Sequence, residues 1–187
     1  MSVWFTADTH FGHSRIIEHC KRPFASVGEM DAKLIANWNA RVHPNDIVWH
    51  LGDFMLFGGV EAVRKYRERL HGEIHLVRGN HDKRSQDFSS VFASVSDMAE
   101  ISVGIGGVNH RVVLCHYAMR VWHKSHRGAW HLYGHSHGNL ADDPNALSLD
   151  VGVDCWDFAP VSPPQVAARM NAKNWKPVGH HGSKDEP

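Results

Sequence analysis

Short apolar runs at residues 2–7, 47–51 and 73–78 are separated by two stretches whose apolar residues recur at helical spacing. In residues 28–42, Met30, Leu34, Ile35 and Trp38 share one helix face, and His43-Pro44-Asn45-Asp46 supplies the turn that stops it. In residues 60–70, Val60, Val63, the stem of Arg67 and Leu70 do the same. A βαβαβ opening leaves few folds. Each helix crosses a sheet face and returns the chain to the same edge, so the strands lie parallel and the loops at their carboxyl ends collect on one rim.

After Asp82 the pattern changes. A short helix is expected around residues 85–92, followed by strands at 98–103, 108–115, 130–133 and 147–151, with a Gly-rich hairpin turn at 104–109. A last helix is expected at 163–171. No repeat or linker divides the chain, which reads as a single domain over residues 1–172 followed by a polar, frayed tail over 173–187.

Composition narrows the function classes. The 187 residues include 20 Lys+Arg and 20 Asp+Glu, so the formal charge is zero and no global attraction to nucleic acid or anionic membrane is expected. Any anion site must be local. An apolar share of 42% with seven Trp and eight Phe is globular composition and excludes disorder. The start of the chain has no signal-peptide pattern, and no apolar stretch approaches the roughly 18 residues of a membrane span. Cys20, Cys115 and Cys155 are odd in number and widely spaced, as expected for reduced thiols in a cytoplasmic protein.

The 17 histidines are the anomaly. Several fall in short polar segments that follow the expected strands: Asp8-Thr9-His10, Gly52-Asp53, Gly79-Asn80-His81-Asp82, His116, and Gly134-His135-Ser136-His137. Each delivers metal-capable side chains at a strand end. The pairs Asp8/His10 and His135/His137 are spaced i, i+2, which in extended backbone points both side chains the same way. In a chain this rich in His, Gly-His-x-His alone would arise by chance about once in eight such sequences, so the ordered set carries the signal and no single match does.

That ordered set resembles the calcineurin-like metallophosphoesterase superfamily, whose pattern is Asp-x-His, Gly-Asp, Gly-Asn-His-Asp/Glu, His and Gly-His-x-His. The wording "ADTHFGH", "HLGDF", "VRGNHD" and "LYGHSHG" is similar to small, cap-less bacterial and phage members. The resemblance implies an α/β fold, a four-layer αββα sandwich with two mixed β-sheets, carrying a dinuclear metal site. It implies that Asp8, His10 and His137 hold one ion, that Asn80, His116 and His135 hold the other, and that Asp53 bridges them. His81 would be the general acid, with Asp82 or a neighbouring carboxylate a candidate to orient its ring. Mn²⁺ is the first expectation for the two divalent ions, with Fe, Zn²⁺, Ni²⁺ and Co²⁺ compatible with the same imidazole, carboxylate and amide donors. Two such ions, two carboxylates and a bridging hydroxide leave a local charge of about +1 to attract phosphate.

The implied activity is hydrolysis of phosphodiester or phosphomonoester bonds, including those of nucleotides, by a metal-bridging hydroxide. A nuclease of the same fold is the second reading, disfavoured by the neutral charge, and a non-catalytic metal-binding or scaffold module is the third. Gly52-Asp53 runs into Phe54-Met55-Leu56, which departs from the Asp-Arg-Gly continuation of phosphoprotein phosphatases. His13, in the loop after Asp8-Thr9-His10, is a candidate substrate contact. So are Arg120 and His126, in the basic, aromatic segment 117–128. His19, His43, His50, His71, His75, His110 and His131 read as structural histidines, and His180-His181 as a feature of the tail.

Overall fold

The computed structural model describes residues 1–56, 59–82 and 88–177. Its elements run β1 (Val3–Thr6), α1 (Arg15–His19), α2 (Val27–Arg41), β2 (Ile47–His50), α3 (Val60–Arg67), β3 (Glu73–Val77), β4 (Ser94–Ser96), β5 (Met98–Ile105), β6 (Val108–Cys115), β7 (Trp130–Tyr133), β8 (Ser148–Asp150) and α4 (Pro163–Asn171). Strands β1 to β4 form one sheet in that order, and β5 to β8 form a second.

The fold is the expected α/β sandwich of two sheets, with one refinement of strand direction. The first sheet is wholly parallel. Only the second is mixed: β5 and β6 pair antiparallel through their hairpin, while β6–β7 and β7–β8 are parallel. Helices α1 and α2 between β1 and β2, and α3 between β2 and β3, are the crossovers that let those strands run parallel, whereas the tight β5–β6 hairpin forces an antiparallel pair.

Two cores hold the layers. Phe5, Ala7, Leu51 and Val77 of the first sheet meet Val112, Leu114, Leu132 and Val151 of the second. On the other face of the first sheet, Val48, Ile74 and Leu76 pack with Met30, Leu34 and Trp38 of α2 and Val63 of α3. Helix α4 contacts β5 and β8 as well as β1, and adds Val166 and Met170 to the inter-sheet core. Strand β7 is buried at every position. Burial on both faces accounts for its run of large residues, and buried His131 is satisfied there by the backbone of Val113 and Tyr117.

Helix starts follow local chemistry. Ser26 Oγ accepts from Glu29 N at 3.2 Å, and Glu29 reaches back to accept from Ala25 N at 2.7 Å, fixing the first turn of α2. Ser162 and Gln165 form a capping box at α4, with prolines in its first turn.

Two expectations change, and two short elements appear that the sequence pattern does not announce. Residues 83–87 of the helix expected around 85–92 lie outside the described residues, and Phe88–Phe92 form a single hydrogen-bonded turn. That turn leads into β4, whose Ser-Val-Ser sequence carries too little apolar periodicity to be legible. The five-residue α1 is likewise too short to show a period. The beginning of the expected frayed tail is anchored, because the Lys173 ammonium pairs with the Asp142 carboxylate and Lys176 N donates to Asn145 O at 3.0 Å.

Leu132, fully buried at the centre of β7, reports on the inter-sheet core. Leu132→Ala is expected to destabilise the protein by about 2–5 kcal/mol, read from the urea unfolding midpoint at constant slope.

Candidate metal centre

The first sheet ends in loops that continue its pairing beyond the strands. Asp8 N donates to Gly52 O at 2.9 Å, His10 N to Asp53 O at 3.0 Å and Phe11 N to Phe54 O at 3.0 Å. Asp8 (φ 59°), His10 (φ 50°), Asp53 (φ 56°), His135 (φ 68°) and His137 (φ 49°) all adopt left-handed backbone. The i, i+2 pairs therefore do not converge through extended backbone as expected. They converge because the chain reverses locally at each strand end, a conformation costing roughly 1–3 kcal/mol per non-glycine residue and typical of functional sites. The absence of a side chain at Gly134 lets the end of β7 come close to the end of β1: a Cβ there would stand 2.5 Å from Ala7 Cβ and 2.8 Å from Asp8 Oδ2.

Side chains from both sheets meet across this rim. Ligand-capable atoms of Asp8, His10 and His137 lie within 4.8 Å of one another, as do those of Asp53, His116 and His135. Asp53 joins the two groups. Its Oδ2 stands 3.6 Å from His10 Nε2, 3.4 Å from His116 Nε2 and 3.9 Å from His81 Nε2. Asn80 Oδ1 lies 3.0 Å from His116 Nε2, so Asn80 joins the second group. Asp8, His10, Asp53 and His116 are buried, whereas Asn80 and His135 face the exterior.

The donor set fits a cation. His116 Nδ1 lies 2.7 Å from Leu51 O, so it donates there and turns Nε2 toward the centre. That nitrogen then faces two oxygens, from Asp53 and Asn80, with no proton between them unless the ring is charged. Buried His10 Nε2 has no hydrogen-bond partner among the described residues. Lone pairs converging in a buried place, with few donors to meet them, are stabilised by a proton or a metal ion.

Electrostatics divides the site. Burial pushes the Asp8 carboxyl up to about 7, against the pull of His137 and His116. For Asp53 burial acts the same way but loses to the hydrogen bond and charge of His116, leaving its carboxyl at about 2. Burial holds His10 down at about 2. His137 is pushed up to about 10, because its hydrogen bond to Asp154 outweighs burial.

A supporting layer was not legible in the sequence. Asp154 Oδ2 accepts from His137 Nδ1 at 2.7 Å, and the same carboxylate takes Arg22 Nε at 2.7 Å and Nη2 at 2.8 Å. Arg22 Nη2 also donates to Asp8 O at 2.7 Å and Nη1 to Thr9 O at 3.2 Å. Asp82 corrects an expectation. Its carboxylate accepts from Asp53 N (2.7 Å), Phe54 N (3.1 Å) and Gly79 N (2.9 Å), so it braces two strand-end loops and does not orient the His81 ring. His81 is tied through its backbone, His81 N donating to Asp53 Oδ1 at 2.9 Å.

A cavity of about 600 Å³ opens beside the cluster, lined by His10, His13, Arg15, His19, His81 and His137 among others. It contains the expected His13 but neither Arg120 nor His126. Arg120 lines a separate hollow with Trp122, Trp175 and Lys176, and His126 sits in the short 3-10 turn Ser125–Arg127. His19, read from the sequence as structural, is part of the cavity wall because α1 turns that side toward the site.

A parallel sheet and a mixed sheet meet at a rim of carboxylates and imidazoles whose grouped donor atoms could hold metal ions. The sequence model of the calcineurin-like phosphoesterase superfamily domain matches residues 1–152, and the chain belongs to that superfamily. An uncharacterized protein of Methanocaldococcus jannaschii, MJ1445, is 34% identical over 166 residues, covering 86% of each chain. The Gene 66 protein of Mycobacterium phage L5 is 30% identical, covering 83% of this chain and 87% of its own. In fold, the chain is similar to a protein of unknown function from Aquifex aeolicus, AQ665. The TM-score is 0.67 at 20% identity, over 89% of this chain and 98% of that one.

Beneath the site, His50 Nε2 lies 2.9 Å from Thr9 Oγ1, which itself donates to Phe54 O at 3.0 Å. The ring is therefore the Nε2–H tautomer, with a bare Nδ1 in the core. Burial holds it at about 3. Below the unfolded-state value of about 6.5 the unfolded chain takes a proton that the native ring refuses, so stability falls as pH falls from about 6.5 toward 3. His50→Gln removes this contribution. Between pH 8 and pH 5 the variant is expected to lose about 2 kcal/mol less than the wild type in urea unfolding, the difference isolating His50 from its titrating neighbours.

Proposed function

We propose that this chain is a divalent-metal-dependent phosphoesterase hydrolysing phosphodiester or phosphomonoester bonds, with residues 1–172 as its catalytic domain and the cytoplasm as its compartment. The observation that carries the reading is the pair of three-residue donor groups meeting on Asp53, from which His81 Nε2 is 3.9 Å away. Asp8, His10 and His137 would hold one ion, Asn80, His116 and His135 the other, and Asp53 both. When bound, such ions supply Lewis acidity to the phosphoryl oxygens and activate a water, and Mn²⁺ is the first to test.

The residues do the rest. Asp154 accepts the Nδ1–H of His137 and leaves Nε2 to face the centre, while Leu51 O does the same for His116. Asp82 holds the loops carrying Asp53 and Gly79 at fixed separation. His81, half-buried at the cavity edge, would deliver a proton to the departing oxygen. His13 lines the same cavity and is the nearest candidate substrate contact. The three free cysteines agree with a reducing compartment.

The test is to strip metal with a chelator, restore Mn²⁺ or another divalent ion, and follow a chromogenic phosphodiester and monoester in parallel. Turnover is expected only after metal is restored; no cleavage under any ion overturns the reading. His81→Ala should keep both ions and lose about 10²- to 10⁴-fold in kcat. Asp154→Asn should weaken metal binding by about 10- to 100-fold, read by competition with a fluorescent chelator.

A further inference from the structure

We infer that the cavity beside His81 receives the leaving group of the substrate, and that this leaving group carries a second phosphate, held by Arg15 and His19. The inference rests on the phosphoesterase reading and specifies its substrate class. In hydrolysis the new P–O bond forms to water and the bond to the leaving oxygen breaks, that oxygen taking a proton as it departs. With His81 as the proton source, the departing group lies on the His81 side, and the cavity of about 600 Å³ opens there. Its size suits a nucleotide-sized group.

No carboxylate lines the cavity among the described residues, whereas His13, Arg15 and His19 do, beside Ile16 and Leu56, which offer an apolar surface to the carbon part of a ligand. Arg15 and His19 are spaced i, i+4 on α1, so they sit on one helix face one turn apart. Several arginines are already engaged. Arg22 is paired with Asp154, Arg64 with Glu61 and Arg111 with Glu100, and Arg41 and Arg67 are tied to backbone carbonyls. Arg15 is exposed and, like Arg120 and Arg127, shows no ion pair or side-chain hydrogen bond among the described residues, and of these three Arg15 alone lines the cavity. A guanidinium and imidazole donors facing a hollow that no described carboxylate lines, next to the proposed chemistry, suit a dianionic group, and guanidinium is suited to phosphate in particular.

The experiment compares Mn²⁺-loaded protein on three substrates: the dinucleoside monophosphate ApA, the same with a 5′-terminal phosphate, and the same with a 3′-terminal phosphate. Bis(p-nitrophenyl) phosphate serves as a fourth, without a second phosphate. One of the two terminally phosphorylated dinucleotides is expected to be cleaved with kcat/KM about tenfold or more above ApA, and in Arg15→Gln that ratio is expected to fall toward one. Arg15→Lys should restore part of it, and His19→Gln should lower it. The assignment is overturned if neither terminal phosphate raises kcat/KM, or if the ratio survives in both Arg15→Gln and His19→Gln. Cleavage of bis(p-nitrophenyl) phosphate alone overturns the assignment and leaves the phosphoesterase reading standing. Cleavage of none of the four under Mn²⁺, Zn²⁺, Ni²⁺, Co²⁺ or Fe²⁺ overturns both.

Discussion

The Arg22 guanidinium, buried to 4% exposure, is the tie on which the site's geometry depends. A buried charge of this kind is tolerated only when paired and hydrogen-bonded, and losing one partner of such a pair typically costs about 3–5 kcal/mol. Here Arg22 is met by Asp154, by the carbonyls of Asp8 and Thr9, and by Met30 Sδ. Through one side chain, the loop after β1 is fastened to the turn after β8, 132 residues away from Arg22. Asp154 in turn selects the tautomer of His137. The polar support and the donors are therefore one network, and a change at Arg22 reaches the centre without touching any donor.

The sheets make that network possible. Four parallel strands end on one rim, and the second sheet brings the ends of β6 and β7 to face it. Burial is then unavoidable for Asp8, Asp53 and His116, and their protonation answers to their neighbours more than to solvent. The split between Asp8 at about 7 and Asp53 at about 2 follows from position: the hydrogen bond and charge of a protonated His116 ring outweigh the desolvation of Asp53. For Asp8 burial outweighs the pull of His137 and His116, although His135 N also donates to its carboxylate.

Much of the fold was legible because it is local. The apolar periods at α2, α3, β1 to β3 and β5 to β8 are carried by contiguous residues, and the strand-end segments announce themselves by Gly, Asp and His in fixed order. What escaped was non-local or too short. Asp154 and Arg22 have ordinary sequence surroundings and gain their importance only when two distant loops meet. Asp82 was read as a partner of its neighbour in sequence, but in space it braces the backbone of Asp53 and Phe54. His19 looked structural because no period marks a five-residue helix, and the left-handed turns at Asp8, His10, His135 and His137 are invisible to any pattern of polarity. The family likeness supplied the grouping of the donors, which spacing alone left open.

Each three-residue donor group draws on both sheets. Asp8, His10 and Asp53 leave the first, and His116, His135 and His137 leave the second. A ligand bound by either group is therefore a rivet through the seam of the sandwich, and its occupancy is coupled to how firmly the halves of the chain are joined. Emptying the centre would leave like-polarity lone pairs facing each other along that seam, so the joint itself would be first to breathe. Proteases and hydrogen exchange would then sense the loading state at β6 and β7, far along the chain from the loops where the first sheet ends.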